Sequence, residues 1–269
     1  MARPRVRLLD LLASLYPAKT ERELSAAVMR GAVSVDGRPV LKPGQRVAVD
    51  AAVQLREGRP YVSRGGEKLA RALDGWGIDC GGKVFLDAGC STGGFTDCLL
   101  SRGARSVHAV DVGVNTLAWG LRTDPRVVVR EGTNVMGLAP GTLLPAPEAA
   151  VADLSFRSLR GAAAHILRLV SAGWGVFLAK PQFEWESPPR EFHGVVRDER
   201  DRKGIVEDLV GDLEREGVRA ARAASSPITG RRGNREILLL LHLAQAQPPV
   251  APRLAEDLDA IWRQWTPTA

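Results

Sequence analysis

One stretch of this chain constrains its fold more than any other, because it joins an apolar strand to a helix through a glycine-rich turn. The stretch reads LDAGCSTGGFT over residues 86–96, and a second strand at 106–110 ends at Asp111. Glycines allow a ligand to approach the backbone closely, and the first turn of a helix offers unpaired N–H groups. An acid after the second strand can accept hydrogen bonds from ribose hydroxyls. The stretch predicts a nucleoside-cofactor site; an ordinary strand–turn–helix corner is the alternative.

The spacing of the glycines separates two classes of cofactor. It is not the G-x-G-x-x-G of dinucleotide enzymes, whose glycines approach a pyrophosphate. An acid followed by Ala-Gly and then by Gly-Gly suits S-adenosylmethionine better, since that cofactor has no pyrophosphate to cradle. The predicted cofactor residues are the acids, the turn and its neighbours, and two positions after later strands: Asp87, Gly89, Ser91, Thr92, Gly93, Gly94, Phe95, Asp111, Val112, Asn134 and Asp153.

Individual positions in this set carry more specific expectations. Asp87 is expected near the methionine end of the cofactor, and Asp111 at the ribose hydroxyls. Asn134 could contact the adenine or could equally be an ordinary turn residue. Trp119 is expected in the hydrophobic core rather than stacked on the cofactor.

The positive charge of the chain is concentrated in its first quarter. The 269 residues include 37 Lys and Arg against 31 Asp and Glu, a net charge of +6. Residues 1–62 alone hold 11 basic and 6 acidic side chains. A local basic excess is the electrostatic footprint expected for a polyanion partner such as RNA. A solvated basic arm is the simpler alternative.

Several classes of protein are disfavoured by the sequence. The longest apolar run, 237–246, is too short to cross a bilayer, and the basic N-terminus has no apolar segment typical of a signal peptide. Three cysteines and four scattered histidines show no metal-ligand spacing. We therefore expect a cytoplasmic protein without a metal site or a membrane segment, and a monomer.

The first 55 residues predict a small separate domain. An amphipathic helix is predicted over 6–15, and a second helix begins at Thr20, where Glu23 completes a capping box, and ends at Gly31. Short strands follow. This order, together with GAVSVDGRPVLKPGQRV at 31–47, resembles the S-four-type RNA-binding module found in a ribosomal protein and in several RNA-modifying enzymes.

That resemblance implies that basic side chains of the module contact RNA. The predicted RNA-binding residues are Arg5, Arg7, Lys19, Arg22, Arg30, Arg38 and Lys42, with Arg64 beyond the module. The predicted division of the chain is an RNA-binding domain at 1–55, a linker at 56–62 and a second domain at 63–269.

Strands and helices alternate through the second domain. The predicted strands lie near 83–87, 106–110, 126–130, 148–153, 174–179, 218–224 and 235–243; the predicted helices lie near 64–75, 93–103, 114–121, 157–169, 199–216 and 252–265. This alternation predicts an α/β fold, a Rossmann-like, mostly parallel sheet with helices on both faces. The last strand follows a glycine-rich loop instead of a helix, so we expect it to run antiparallel.

Charged side chains stand where the predicted strands reach one edge of the sheet. Asp153 and Lys180 follow two neighbouring parallel strands, and Glu236 begins the antiparallel strand. Lys68 lies on the helix that precedes the first strand. Ligands bind outside the carboxyl ends of strands in such sheets, so the four side chains are expected beside the cofactor. Two buried salt bridges that merely hold the sheet edge are the alternative.

Lysine, aspartate, lysine and glutamate in this chain order resemble the tetrad of FtsJ-like 2′-O-ribose methyltransferases. With the N-terminal module, the chain resembles the TlyA (hemolysin A) family of rRNA cytidine 2′-O-methyltransferases. The matching motifs are VSRGGEKL (62–69), LDAGCSTGGFTDCLL (86–100), AVDVG (109–113), DPRV (124–127), ADLSF (152–156), KPQFE (180–184), GVVRD (194–198) and SPITGRRGNRE (226–236).

The resemblance implies a role for each member of the tetrad. Lys180 would be the base for the ribose 2′-hydroxyl, Lys68 would help to position that hydroxyl, and the two acids would orient the lysines. The chain departs from the family at 185–193, where two prolines and two aromatic residues replace the usual glycines and lysine. It departs again at Tyr61, where family members can carry tryptophan.

Three other hypotheses stay open. Base methylation calls for an Asn-Pro-Pro-aromatic motif after the fourth strand or for a catalytic cysteine, and ADLSF at 152–156 supplies neither. A membrane-lytic protein, as the name hemolysin suggests, needs an amphipathic or membrane-spanning segment. A non-catalytic RNA-binding or ribosome-assembly factor with a retained cofactor fold has no need of four converging charges.

Overall fold

The N-terminal unit consists of two helices and short antiparallel strands around a small apolar core. The structure, a computed structural model, describes residues 4–29, 31–55, 60–155 and 157–265. The elements of this unit are β1 (Arg5–Arg7), α1 (Leu8–Leu15), α2 (Glu21–Met29), β2 (Val33–Val35), β3 (Arg38–Pro39), β4 (Arg46–Ala48) and β5 (Val53–Leu55). Its fully buried side chains include Leu8, Leu12, Leu24, Val28 and Val33.

The predicted capping box of the second helix is present. The backbone N–H of Thr20 donates to Glu23 Oε2 at 2.7 Å, and the N–H of Glu23 donates to Thr20 Oγ1 at 3.3 Å. Gly31 follows the helix with φ +73°. The prediction that the first helix begins at Val6 is wrong, because Arg5–Arg7 form a strand. This strand pairs with Arg46–Ala48, a partner about forty residues away that no local pattern indicates.

The second unit is a seven-stranded sheet with helices on both faces. Its strands are β6 (Val84–Ala88), β7 (Ser106–Val110), β8 (Val127–Arg130), β9 (Ala149–Ala152), β10 (Trp174–Ala179), β11 (Val218–Ser225) and β12 (Ile237–Leu243). Its helices are α3 (Arg64–Trp76), α4 (Gly94–Ser101), α5 (Trp119–Arg122), α6 (Ala162–Arg168), α7 (Pro181–Glu184), α8 (Glu199–Arg215) and α9 (Leu254–Trp265).

The topology of this sheet confirms the predicted fold class. The strand order is β11-β12-β10-β9-β6-β7-β8, and β12 is antiparallel to both of its neighbours. Alternate side chains of β6 face two different cores. Phe85 belongs to the core with α3 and α4, and Leu86 belongs to the core with α6, α8 and α9. The register Ala179↔Ile237 brings the start of β12 to the carboxyl end of β10, where the site lies.

The predicted helix at 114–121 is wrong. Only Trp119–Arg122 are helical, because the carboxylate of Glu131 accepts the N–H groups of Asn115, Thr116 and Leu117 and holds them in a loop. The same carboxylate pairs with Arg122 at 2.6 Å. These bonds lower the pKa of Glu131 to about 2, with Arg122 as the largest cause. The ionised carboxylate of Glu131 thus holds the loop at 115–117 in place.

The two units touch through α2 and α5. A Cβ atom added at Gly120 would lie 2.8 Å from the backbone oxygen of Met29 and 2.9 Å from its Cβ. Only glycine permits so close an approach of the two helices. Among the described residues, no helix is both long and apolar enough to cross a membrane.

Candidate active site

A cavity of about 770 Å³ opens at the carboxyl edge of the sheet. Its walls come from the glycine-rich turn, the ends of β7 and β9 and the start of α3. Nine of the eleven predicted cofactor residues line it: Gly89, Ser91, Thr92, Gly94, Phe95, Asp111, Val112, Asn134 and Asp153. Asp153 also belongs to the predicted tetrad, and Lys68 of the tetrad lines the cavity too. The glycine-rich stretch at 86–96 therefore contributes six residues to the lining of the cavity.

Glycine is required in the turn because other backbone segments lie directly against it. Gly89 has φ +81°, and a Cβ there would lie 2.7 Å from the backbone oxygen of Asp153. At Gly94 a Cβ would lie 2.2 Å from Ser63 Oγ and 2.8 Å from the backbone nitrogen of Gly66. The start of α4 therefore packs backbone against backbone on the start of α3, which carries Lys68.

Replacing Gly94 with alanine is expected to destabilise the fold by about 1–3 kcal/mol, because the added methyl group overpacks against a backbone atom that cannot turn away. Binding of S-adenosylmethionine should weaken in parallel. Urea unfolding and titration calorimetry measure the two effects. Gly75→Ala is the matched control: it lies in α3, a Cβ there meets nothing within 4 Å, and it should be neutral or stabilising. Equal effects of the two substitutions would contradict this assignment.

Asp111 is held in position by the turn that it faces. Its Oδ2 accepts the N–H of Ser91 at 2.8 Å, and its Oδ1 accepts the N–H of Gly113 at 2.7 Å. A carboxylate oxygen has two lone pairs, so each oxygen can still accept a hydroxyl donor. Two acceptors at the rim of a cavity of this size fit the two hydroxyls of a ribose. These two acceptors therefore suit the nucleoside part of S-adenosylmethionine.

Two predicted cofactor residues lie outside the cavity wall. Gly93 is buried with φ +94°, and a Cβ there would lie 2.2 Å from Leu121, so it packs on α5. Asp87 is fully buried and does not line the cavity, so its expected place near the methionine end of the cofactor stays a prediction. Its Oδ2 accepts a hydrogen bond from Thr96 Oγ1 at 2.6 Å, whereas Oδ1 has no hydrogen-bond partner among the described residues. Burial raises the pKa of Asp87 to about 7.

Asn134 is a turn residue that also lines the cavity, so its contact with the adenine stays a prediction. Its Oδ1 accepts the N–H of Met136 at 3.0 Å, as a turn residue does, and the residue also lines the cavity. Trp119, which was expected in the core, is 52% exposed on α5. That prediction is wrong, because α5 is too short to bury more than one side of itself.

The predicted tetrad forms two lysine–acid pairs. Lys180 Nζ lies 2.6 Å from Asp153 Oδ1 and donates to the backbone oxygen of Leu154 at 2.9 Å. Lys68 Nζ donates to Glu236 Oε2 at 2.5 Å. Both lysines and Glu236 are nine-tenths or more buried, whereas the side chain of Asp153 is 26% exposed.

The parallel strands and β12 position these pairs as the sequence predicted. Asp153 and Lys180 follow the adjacent strands β9 and β10, and Glu236 precedes β12. Gly230 lets Glu236 approach, since a Cβ there would lie 2.2 Å from Glu236 Oε1. Each pair thus has one member in the cavity wall, Asp153 or Lys68, and one member buried behind it, Lys180 or Glu236.

Sequence reasoning missed Glu184, which ties together the segments that follow Asp153 and Lys180. The side chain is 3% exposed; Oε1 accepts the N–H of Leu159 at 2.9 Å, and Oε2 accepts the hydroxyl of Ser158. Arg160 adds an ion pair at 3.3 Å. The only sequence signal was its position in KPQFE, four residues after Lys180. Arg157, also missed, lines the cavity.

The two departures from the family pattern are both accommodated. Tyr61 packs on Gly66, where a Cβ would lie 2.3 Å from the ring, and its hydroxyl accepts a hydrogen bond from Arg102 at 2.6 Å. In the 185–193 loop, the rings of Trp185 and Phe192 pack edge to face with centroids 5.2 Å apart.

The basic residues predicted to bind RNA are exposed wherever the structure describes them: Arg5, Arg7, Lys19, Arg22, Arg38, Lys42 and Arg64. Arg64 also lines the cavity, beside Lys68. Arg30 and residues 56–59 of the linker lie outside the described residues.

Comparison with known proteins supports this architecture. The family model described as FtsJ-like methyltransferase matches residues 61–243, and the S4 domain model matches residues 6–53. A parallel sheet with one antiparallel strand and this family match define the S-adenosylmethionine-dependent methyltransferase class. The fold and the family imply use of that cofactor.

Individual relatives cover most of the chain. YqxC of Bacillus subtilis is 40% identical over 90% of this chain and 87% of its own length. A Mycobacterium tuberculosis protein, the 16S/23S rRNA (cytidine-2′-O)-methyltransferase TlyA, is 39% identical over 83% and 85%. A hemolysin-named structure from Streptococcus thermophilus is 32% identical, covers 98% of this chain and 97% of that one, and superposes with a TM-score of 0.68. The chain therefore belongs to the FtsJ-like methyltransferase family, among the TlyA relatives that carry an N-terminal S4 domain.

Proposed function

We propose that this protein transfers a methyl group from S-adenosylmethionine to the 2′-hydroxyl of a cytidine in ribosomal RNA. The observation that carries the proposal is the pairing of Lys180 with Asp153 and of Lys68 with Glu236 at a cavity that also holds Asp111. The two predicted domains would have different roles. Residues 1–55 would bind the RNA, and residues 63–269 would bind the cofactor and catalyse the reaction.

The residues of this chain would share the chemistry as follows. When bound, S-adenosylmethionine supplies an electrophilic methyl group. Asp111 would hold the ribose of the cofactor. The neutral amine of Lys180 would accept the proton of the RNA 2′-hydroxyl while the 2′-oxygen bonds to the methyl carbon and the methyl–sulfur bond breaks, which leaves S-adenosylhomocysteine. Asp153 holds the Lys180 amine, and Lys68, fixed by Glu236, would donate a hydrogen bond to the substrate oxygen. Positioning of the two reactants contributes to the rate alongside proton removal.

The raised pKa values of the three cysteine thiols disfavour base methylation by a mechanism that uses a cysteine nucleophile. Burial is the largest cause of a raised pKa at all three thiols, to about 11 for Cys80 and about 12 for Cys98. Cys90 lines the cavity, and its pKa is raised as well. A thiol is a poor nucleophile compared with a thiolate, so these residues suit packing.

The proposed setting follows from the substrate. The protein would act in the cytoplasm on ribosomal subunits or their RNA, as a monomer, and without a membrane or a metal. The S4 domain and the basic N-terminal quarter of the chain support an RNA partner. Among the described residues, no group of His, Cys, Asp and Glu is arranged to hold a metal ion.

The test is transfer of labelled methyl groups from S-adenosylmethionine to purified 30S and 50S subunits. We expect incorporation that blocks alkaline cleavage of the RNA at a cytidine, and its loss in Lys180→Ala. Label in a base, with alkaline cleavage intact, would replace ribose methylation with base methylation. Cofactor binding without any incorporation would favour the non-catalytic assembly factor, and lysis of vesicles by the pure protein would favour the hemolysin hypothesis.

A further inference from the structure

Trp119 is a large aromatic side chain that is not buried in the hydrophobic core. All six tryptophans lie within the described part of the chain. Trp119 is the one among them whose side chain is mostly exposed, at 52%. Trp76, Trp174 and Trp265 are buried at 5–7%. An exposed indole contributes little to the stability of the core, so core packing does not explain a tryptophan at this position.

The backbone beneath Trp119 is fixed from both sides. On one side Gly120 packs against Met29, the last residue of α2 in the N-terminal domain. On the other side, the side chain of Leu121 lies directly over Gly93 of the glycine-rich turn, and the N–H of Ala118 donates to the backbone oxygen of Thr92 at 3.2 Å. The indole therefore stands on a short helix held between the N-terminal domain and the cofactor cavity.

The loop that leads from the rim of that cavity to Trp119 exposes two further apolar side chains, with polar residues between them and Trp119. Val112 (70% exposed), Val114 (64%) and Trp119 are three of the seven large apolar side chains that the described residues leave exposed. All three fall within 112–119, and Val112 lines the cavity. Exposed apolar residues gathered in one place mark an interaction site more often than scattered ones do.

Exposed basic side chains occur on α2, which packs against α5, and at the start of α3, which lines the cavity. Arg22 lies seven residues before Met29 on α2, which is about 10 Å along the helix axis. Arg64 lines the cavity itself. Single-stranded nucleic acid is bound by this combination, in which cations follow the phosphates and an aromatic face stacks on a base.

We propose that Trp119 is a stacking platform for an unpaired base of the RNA substrate, at the junction between the N-terminal domain and the cofactor cavity. This rests on the proposed function for the identity of the RNA. Stacking would fix the RNA strand where it passes from the N-terminal domain to the active site, so that the neighbouring ribose reaches the two lysine–acid pairs.

The test is filter binding of total ribosomal RNA to the full-length protein. Because stacking of one base contributes on the order of 1–3 kcal/mol, Trp119→Ala should weaken binding about tenfold. Trp119→Phe keeps an aromatic face and should retain most of the affinity. Trp119→Leu keeps apolar bulk without that face and should behave like Trp119→Ala. Leu144→Ala is the matched control: Leu144 is 72% exposed but precedes β9, at the opposite edge of the sheet.

Two further readouts separate this inference from others. Affinity for S-adenosylmethionine, measured without RNA, should be unchanged in all Trp119 variants; a parallel loss would mean that Trp119 only supports the glycine-rich turn and would overturn the inference. Wild-type affinity for RNA in Trp119→Leu would also overturn it. Methyl transfer to ribosomal subunits is assayed in parallel: Trp119-dependent binding without any methyl transfer would remove the proposed function and leave the stacking platform in place.

Discussion

Lys180→Met is expected to slow methyl transfer by about 10²- to 10⁴-fold while affinity for S-adenosylmethionine stays close to that of the wild type. A positioned base contributes a rate factor of this size, and methionine preserves the apolar stem of the lysine. Lys180 does not line the cavity, whereas Asp111 does, so the loss should fall on the chemical step and not on cofactor binding. Single-turnover transfer to ribosomal subunits and calorimetric titration of the cofactor separate the two.

The control for this variant is Lys83→Met. Lys83 precedes the first strand of the sheet, at the edge away from the site, and donates to the backbone oxygen of Asp79 at 2.9 Å. Its replacement should leave the transfer rate unaltered. If Lys180→Met lowered the free energy of unfolding but kept the wild-type rate, the lysine–acid pairs would be structural salt bridges only.

The free energy of unfolding of the cofactor-free protein is expected to fall as the pH rises from about 4 to about 7, because of Asp87. Burial raises the pKa of this carboxyl from its ordinary value of 3.8 to about 7 in the folded protein. Below pH 4 the group is protonated in both states and contributes no difference. Between these limits the unfolded chain loses its proton first, so stability decreases by about 1 kcal/mol per pH unit.

Urea unfolding of the wild type and of Asp87→Asn at pH 4, 5, 6, 7 and 8 measures this effect. The amide is neutral and can still accept from Thr96, so the difference between the two proteins should grow with pH and level off above 7. Asp79→Asn is the control, because Asp79 is an exposed acid whose pKa is lowered, first by the N–H of Gly81. Its contribution is lost only as the pH falls below 4. A constant difference between wild type and Asp87→Asn would show that Asp87 is ionised throughout.

Local sequence patterns were sufficient to predict the sheet and most of the site. The seven strands of the second unit begin and end within two residues of their predicted positions, because buried parallel strands read as short apolar runs between turns. Asp153, Lys180 and Glu236 were found by their places at strand ends, which the topology of a doubly wound sheet brings to one edge.

The errors arose where a distant partner decides the structure. The Glu131 carboxylate, 14 to 16 residues away, holds 115–117 as a loop where periodicity predicted a helix. Arg5–Arg7 became a strand because Arg46–Ala48 pairs with it. Sequence also cannot distinguish an acid that faces a cavity, such as Asp111, from one that is fully buried, such as Asp87. The burial of Glu184 depends on Ser158 and Leu159, and no motif connects them.

The ion pair between Lys68 and Glu236 joins residues 168 positions apart in the chain. Lys68 lies before the first strand of the large sheet to be synthesised, and Glu236 lies immediately before the last. Each end of the domain thus contributes one member of this pair, and the two members meet only when β12 has inserted between β10 and β11. A chain that ends before Glu236 cannot form this pair. The tetrad is therefore complete only when the last strand of the sheet is in place.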